Sequence, residues 1–385
     1  MSRSEDCKVP QVRFSDYVED WKEKTVGAIL SEVKRTIVLE DNQQYELITV
    51  KRRNEGIVSR GHLFGRNILV KNYSQLQTGD FVISKRQVVH GATGMVPAHL
   101  NNAIVSNEYL IATNSKDIST EFLTILSGLS AMKRKFFLSS YGVDIEKLFF
   151  DVADWKKRVV TIPGKIEQEK ICSHFKELDQ LIQLHQYKHD KLLTLKQAML
   201  QKMFPHAGAT TPEIRFKGFE GKWAEQRLEN IVEVCSGRDY KHLSAGNIPV
   251  YGTGGYMLSV DKALSYDKDA VGIGRKGTID KPYLLRCPFW TVDTLFYATP
   301  KKGHNLDFIH SIFQKIDWKK YDESTGVPSL SKTAINEVGT YVPDLEEQQK
   351  IGLYFSQLDE LISHHATQQK KLKQVKAACL GKMFI

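Results

Sequence analysis

Residues Pro163 to Phe204 read PGKIEQEKICSHFKELDQLIQLHQYKHDKLLTLKQAMLQKMF, and Pro343 to Phe384 read PDLEEQQKIGLYFSQLDELISHHATQQKKLKQVKAACLGKMF. At a constant offset of 180 the proline, Glu167/Glu347, Gln168/Gln348, Lys170/Lys350, Asp179/Asp359, Leu181/Leu361 and the closing Lys-Met-Phe all recur. A second duplication precedes each half. Pro10-Gln-Val-Arg-Phe, running on to Trp21, is answered by Pro212-Glu-Ile-Arg-Phe, running on to Trp223. A repeat this long specifies two equivalent units, and that architecture constrains function more than any single residue does.

The apolar residues of the repeat are spaced by alternating fours and threes. In the first copy they are Ile171, Phe175, Leu178, Ile182, Leu192, Leu195, Met199 and Met203, with His185 and His189 in the middle. In the second they are Ile351, Phe355, Leu358, Ile362, Leu372, Val375, Cys379 and Met383, with His365 and Gln369 in the middle. This heptad spacing predicts two long helices that pack as a coiled coil. Pro163 and Pro343 suit helix starts, acidic residues follow them, and lysines gather at the far end. A helix of this span is roughly 57 Å long and cannot bury its seam alone. The domain between the two copies lets them run antiparallel. The histidines read as partly exposed seam positions that fix register rather than as metal ligands.

At 385 residues the chain has room for two or three domains with cores of their own. Its net charge of +9 points to a polyanionic partner, most often nucleic acid. The five cysteines (Cys7, Cys172, Cys235, Cys287, Cys379) show neither zinc spacing nor a disulfide framework, which fits a reducing compartment. No apolar run approaches the roughly 20 residues of a membrane span, so a cytoplasmic location is expected.

Between the helices lie blocks of mixed character. Ile68-Leu-Val, Asp80-Phe-Val-Ile, Ala103-Ile-Val and Tyr109-Leu-Ile-Ala alternate with glycine turns, as do Ala270-Val-Gly-Ile, Tyr283-Leu-Leu and Leu295-Phe-Tyr-Ala. Helical stretches follow at Thr120–Ser130 and Leu306–Lys315. The expected plan is a mixed α/β fold: a first domain over 1–162, a helix over 163–205, a second domain over 206–342 opening with a linker at 206–212, and a helix over 343–385. The frames of the two halves match, while the domain interiors share little.

The second domain carries the densest cluster. Val271-Gly-Ile-Gly-Arg-Lys-Gly-Thr-Ile279 sets Arg275 and Lys276 among glycines beside Thr278. Gly272, Gly274 and Gly277 formally satisfy a dinucleotide fingerprint, which requires a helix to open at this loop. Ile279-Asp-Lys-Pro282 is unsuited to that, and a turn presenting cations and backbone amides suits a nucleic-acid backbone or a guanine edge better. Tyr251 and Thr253 in Tyr251-Gly-Thr-Gly-Gly-Tyr256, and Ser329 and Lys332 in Ser324-Thr-Gly-Val-Pro-Ser-Leu-Ser-Lys332, add aromatics, hydroxyls and a cation. In the first domain Lys85, Arg86 and Thr93 form a cluster similar in kind but not in letters. Each of these stretches is also compatible with a plain turn. There is no Walker loop, no H-E-x-x-H, no G-x-S-x-G and no Asn/Asp-Pro-Pro-aromatic tetrapeptide. A binding module is therefore favoured, with a DNA-acting enzyme (nuclease or methyltransferase) or a coiled-coil adaptor as alternatives.

Over nearly its whole length the sequence resembles the specificity subunits of type I restriction–modification systems. The carriers are the paired Pro-x-(Val/Ile)-Arg-Phe…Trp entries and the Pro-x-x-Glu-Gln-x-Lys-Ile helices, the first in the variant PGKIEQEKI. Ile273-Gly-Arg-Lys-Gly-Thr-Ile279 and Pro288-Phe-Trp-Thr-Val-Asp-Thr-Leu-Phe296 add to them. The resemblance implies two target-recognition domains separated by two helices in an antiparallel coiled coil, each domain reading half of a split site on double-stranded DNA. It further implies docking of two modification (methyltransferase) subunits, with restriction (translocase/nuclease) subunits in the full complex. The chain itself would be non-catalytic and without cofactor or metal. S-adenosylmethionine, ATP and magnesium would belong to the partner subunits.

Overall fold

The computed structural model describes residues 9–69, 72–206 and 208–385, without the side chain of Lys147. Cys7, Val70 and Ala207 lie outside the described residues. The chain forms two compact units, one comprising Met1–Gln183 with Lys370–Ile385, the other Leu184–Gln369. The fold is mixed α/β, as the alternation of β-rich runs with helical stretches predicts.

The two long helices span Lys165–Lys202 and Leu345–Lys382. Within each unit the helical segments pair antiparallel. In the second unit His185 meets His365, and nearer the helix ends Lys196 meets Asp359. In the first unit Asp179 meets Lys376 at 2.6 Å. These two ion pairs are equivalents under the repeat.

Ile171, Phe175, Leu178, Ile351, Phe355 and Leu358 are buried, and Ile182, Leu192, Ile362 and Leu372 are half-buried. Leu195 and Val375 depart from the heptad expectation and are 40% and 47% exposed, whereas Lys196 is only 9% exposed. An α-helix turns every 3.6 residues, so a strict 3.5-residue stripe drifts off the contact line. In this stretch the seam passes to Lys196 and Lys376, whose aspartate partners neutralise them.

The repeated letters have a common physical cause. Arg13 donates to both carboxylate oxygens of Glu167 at 2.8 Å, and Arg215 to both of Glu347 at 2.7 Å. In a capping box a glutamate at this helical position would reach back to the N-cap. Here it grips the arginine of the preceding entry motif instead. Gln168 accepts from the Ser119 amide and donates to the Pro163 carbonyl, while Gln348 accepts from the Asn305 amide and donates to the Pro343 carbonyl. The entry strands Lys22–Thr25 and Ala224–Arg227 pair antiparallel with Val159–Ile162 and Gly339–Val342.

The closing Lys-Met-Phe motifs complete the cores crosswise. Phe204, ending the first helix, packs on Trp223, Phe308 and Phe355 in the second unit, with ring centroids 5.5–6.0 Å apart. Phe384, ending the second helix, packs on Trp21, Phe122 and Phe175 in the first unit at 5.8–6.1 Å. Buried aromatics of this kind carry much of a core's stability, on the order of 3–5 kcal/mol each on truncation to alanine.

The interiors diverge in sequence yet share a common topological core, to which the first unit adds the strands Thr36–Ile37 and Tyr73–Gln75. In the first unit an antiparallel sheet runs in the order Ser31–Glu32, Tyr109–Thr113, Phe81–Ser84, Thr93–Met95. In the second the order is Val232–Ser236, Leu295–Pro300, Ala270–Gly274, Tyr283–Leu285. Each unit adds a second sheet built on a hairpin, Gln44–Val50 with Ile57–Phe64 and Ala245–Gly252 with Gly255–Val260. In both, the first hairpin strand also pairs in parallel with a later strand. The helix starting at Thr120 is capped by the Ser119 side chain and the one starting at Leu306 by Asn305. The Ile68-Leu run is no strand, because Ile68 ends a 3-10 turn over Gly65–Asn67.

Candidate nucleic-acid interface

In the second unit the fully buried strand Ala270–Gly274 delivers the chain to the surface at Arg275. A Cβ on Gly274 would stand 1.9 Å from the Thr278 carbonyl oxygen, so the turn closes only over glycine. Gly277, at φ +97°, reverses the chain, which returns as the strand Tyr283–Leu285. No helix opens here, and the dinucleotide reading of Gly272, Gly274 and Gly277 is set aside because a pyrophosphate would find no helix N-terminus.

The turn is tied on both sides. The Arg275 amide donates to the Thr294 carbonyl at 2.8 Å, the Gly277 amide to the Pro328 carbonyl at 2.8 Å, and the Leu330 amide to the Arg275 carbonyl at 2.9 Å. Lys276 and Ser329 form an isolated β-bridge. Arg275 and Lys276 are exposed, while Thr278 and Ser329 are half-buried. The Arg275 guanidinium lies 5.7 Å from the Phe296 ring centroid and donates to the Asp293 carbonyl at 3.3 Å.

Thr253, at the hairpin tip, has its hydroxyl 4.0 Å from where a Gly277 Cβ would be. Tyr251 packs against Tyr256 and Tyr283, and the Tyr283 hydroxyl donates to the Gly252 carbonyl at 2.5 Å. Burial drives that phenol well above its ordinary pKa, so it remains a neutral donor. The carboxylate of Asp322 accepts from the Ser329 and Ser324 amides, which hold it below the usual range and shape the loop. Lys332 is exposed at the start of the helix Lys332–Glu337, two residues beyond Leu330. Tyr251, Thr253, Arg275, Lys276, Thr278 and Ser329 are thus gathered on one edge, with Lys332 following it in the chain.

The first unit repeats this construction with other letters. Ser84 ends the strand Phe81–Ser84, and the next amide, of Lys85, donates to the Glu108 carbonyl at 3.0 Å. The Lys85 ammonium donates to the Asn107 carbonyl at 2.6 Å. Strand register sets Ser84 against Tyr109 as it sets Gly274 against Leu295. Lys85 and Arg275 are therefore structural equivalents, each with its amide and its cationic head bonded to consecutive carbonyls of the facing loop. Arg86 is exposed but paired with Glu108 at 2.7 Å, which raises its pKa.

Thr93 is a correction. It is 1% exposed, with its hydroxyl bonded to the Ser127 hydroxyl and the Asn54 amide at 2.8 Å, so its place is in the core. Its neighbouring glycines read as a surface turn, but Thr93 opens the edge strand Thr93–Met95, where Ser127 and Asn54 cover its side chain.

Residues 220–374 match the family described as "Type I restriction modification DNA specificity domain". Over 172 residues the chain is 22% identical to the EcoprrI specificity subunit of Escherichia coli, a match spanning 42% of each sequence. The fold matches the type I restriction–modification S subunit of M. genitalium at TM-score 0.65 and 15% identity, over 98% of this chain and 99% of that one. A further match, a solved structure titled for complex assembly and conformational transition of the type I R-M system, has TM-score 0.51 at 16% identity, over 94% and 97% of the two chains. Residues 220–374 are thus similar to a type I restriction–modification DNA specificity domain, and the fold of the chain is that of the matched S subunit.

The sequence reading missed two segments of the first edge. The Lys51-Arg52-Arg53 run sits at the tip of the Gln44–Val50/Ile57–Phe64 hairpin, the counterpart of Thr253. Three consecutive cations at a turn were the available signal. The second segment is the loop following the short strand Ser140–Tyr141. It precedes the helix Val152–Lys157, whose Asp151 cap matches Ser331, and Glu146 from this loop bonds Arg52 at 2.5 Å. Here Tyr141, Val143 and Ile145 are exposed where the second unit places hydroxyls. Among the described residues no group of three or more His, Cys, Asp or Glu is placed to hold a metal, and no helix is long and apolar enough to cross a membrane.

Proposed function

We propose that this chain is a type I specificity subunit that recognises a split site on double-stranded DNA, each unit reading one half through the edge built on Lys85 or Arg275. One observation carries the reading. The same strand-to-turn construction is made twice, with a cation at the same place and with different surroundings. An identical frame supplies phosphate-directed charge to both halves. Unlike side chains around it (Tyr251, Thr253 and Ser329 against Arg53, Arg86 and Val143) supply different base preferences.

The long helices dock two methyltransferase subunits in this reading. Leu181 and Leu361, equivalents under the repeat, remain 43% and 47% exposed on them and offer matching apolar contacts. S-adenosylmethionine, ATP and magnesium are held by the methyltransferase and restriction subunits, and the complex works in the cytoplasm.

The test is to map methylated adenines in cells carrying the complete system, with and without this chain and with Arg275→Ala. Loss of methylation without the chain is expected, as is relaxed preference in one half-site for Arg275→Ala. A missing bidentate guanine contact costs roughly 1–3 kcal/mol of discrimination. A methylation pattern independent of the chain defeats the proposal. So does turnover of DNA by the purified chain alone with magnesium or S-adenosylmethionine.

A further inference from the structure

We infer that Arg53 is a specificity-determining residue of the first unit, held by backbone strain so that its guanidinium meets a base edge of double-stranded DNA. The inference rests on the DNA-reading function proposed above. Arg53 lies at φ 60°, ψ 24°, and Asn54 follows at φ 58°. Left-handed backbone crowds the Cβ of an L-residue. Glycine adopts it freely and asparagine tolerates it, whereas a long side chain is there against its preference.

The conformation is imposed by its surroundings. The Asn54 amide donates to the Gly91 carbonyl at 2.8 Å, and its side chain donates to buried Thr93 at 2.8 Å. Asn54 thereby pins the hairpin tip to the turn that follows Lys85 and Arg86. Stability alone would be served by glycine at position 53, and the cation is retained.

The neighbouring cation has structural work and Arg53 has none. Arg52 donates to Gln87 at 2.8 Å and to Glu146 at 2.5 Å, tying the hairpin to the adjoining loops. Arg53 is exposed and makes no hydrogen bond or ion pair among the described residues. An unpaired guanidinium on a fixed backbone has lost part of its freedom in advance. Its planar fork matches guanine O6 and N7 in the major groove in a fixed geometry that a freely rotating ammonium lacks. Residues in sparsely populated backbone conformations persist where the strain serves a function.

The experiment uses the complete methyltransferase complex carrying wild-type chain, R53G, R53K or R275A. Methylation is measured on a duplex library randomised across the recognition site, and each chain's melting temperature is recorded. R53G should melt at or above the wild-type temperature, yet lose roughly 5- to 150-fold of its discrimination at one base pair. R53K should lose a smaller part of that discrimination while keeping the salt dependence of binding. R275A should relax a position in the other half. If R53G leaves every preference intact while R275A relaxes its half, the Arg53 inference fails and the DNA-reading proposal stands. If R53G melts lower than wild type, the strain argument fails. If neither R53G nor R275A alters any preference, the reading of both edges fails.

Discussion

Replacing Glu347 with alanine should destabilise the second unit by about 3 kcal/mol. Its carboxylate is fully buried, and Arg215 retains only 17% side-chain exposure. The guanidinium makes two bonds of 2.7 Å to that carboxylate and two more to the Gly221 and Glu220 carbonyls. Truncation leaves a nearly buried cation with the carbonyl bonds alone. Breaking a buried pair from one side costs about 3–5 kcal/mol, and the remaining solvent access of Arg215 favours the lower figure. At about 2–4 °C per kcal/mol for a unit of this size, the melting temperature should fall by about 6–12 °C. Scanning calorimetry of the full chain reads this. The Arg215→Met, Glu347→Leu double variant should recover most of the loss, because removing both charges leaves neither unpaired. The matching Glu167→Ala change should cost about 1 kcal/mol more, since Glu167 also accepts from the Trp21 indole at 3.3 Å. Glu347→Ala melting within 2 °C of wild type, or a double variant as damaged as the single, would refute the reasoning.

Gly274→Ala should disrupt the second edge, because its Cβ would lie 1.9 Å from the Thr278 carbonyl oxygen. Methylation specificity at one half-site should collapse, whereas Gly254→Ala, with nothing within 4 Å of its Cβ, should leave stability unchanged. Acid sensitivity should trace in part to His310, whose burial pushes its pKa from 6.5 down to about 4, with Asp359 opposing and Lys196 and Arg286 reinforcing the shift. The folded protein keeps this imidazole neutral, while the unfolded chain takes up a proton near pH 6.5. The stability it contributes is therefore complete above that pH and lost as pH falls toward 4. Between about pH 7 and pH 5 the loss should be about 2 kcal/mol, read from urea midpoints. His310→Gln should flatten that slope, and an unchanged slope would assign the sensitivity elsewhere.

The candidate edges were legible to different degrees. Arg275, Lys276 and Thr278 stood out because glycines bracket them in the sequence, and a turn is a local object. Lys85 could be matched to Arg275 only by strand register, since Tyr109–Thr113 and Leu295–Pro300 set the two turns in place from afar. Thr93 looked exposed among glycines and proved buried, because strand neighbours decide which face of a residue meets water. Arg53 is set by Asn54, Gly91 and Thr93, residues that the letters alone do not bring together.

By itself the sequence determined the duplication, the two long helices and the mixed character of the units, all of which follow from periodicity and composition within short windows. Only the tertiary structure decided that each Lys-Met-Phe completes the core of the unit built on the other helix's entry motif. It likewise decided that Lys196 and Lys376 replace Leu195 and Val375 at the contact line, and that unlike interiors share one topological core. The physical reason is common to all three. Burial and ion pairing depend on which distant surfaces meet, as when Phe384 reaches Trp21, and no local pattern encodes that meeting.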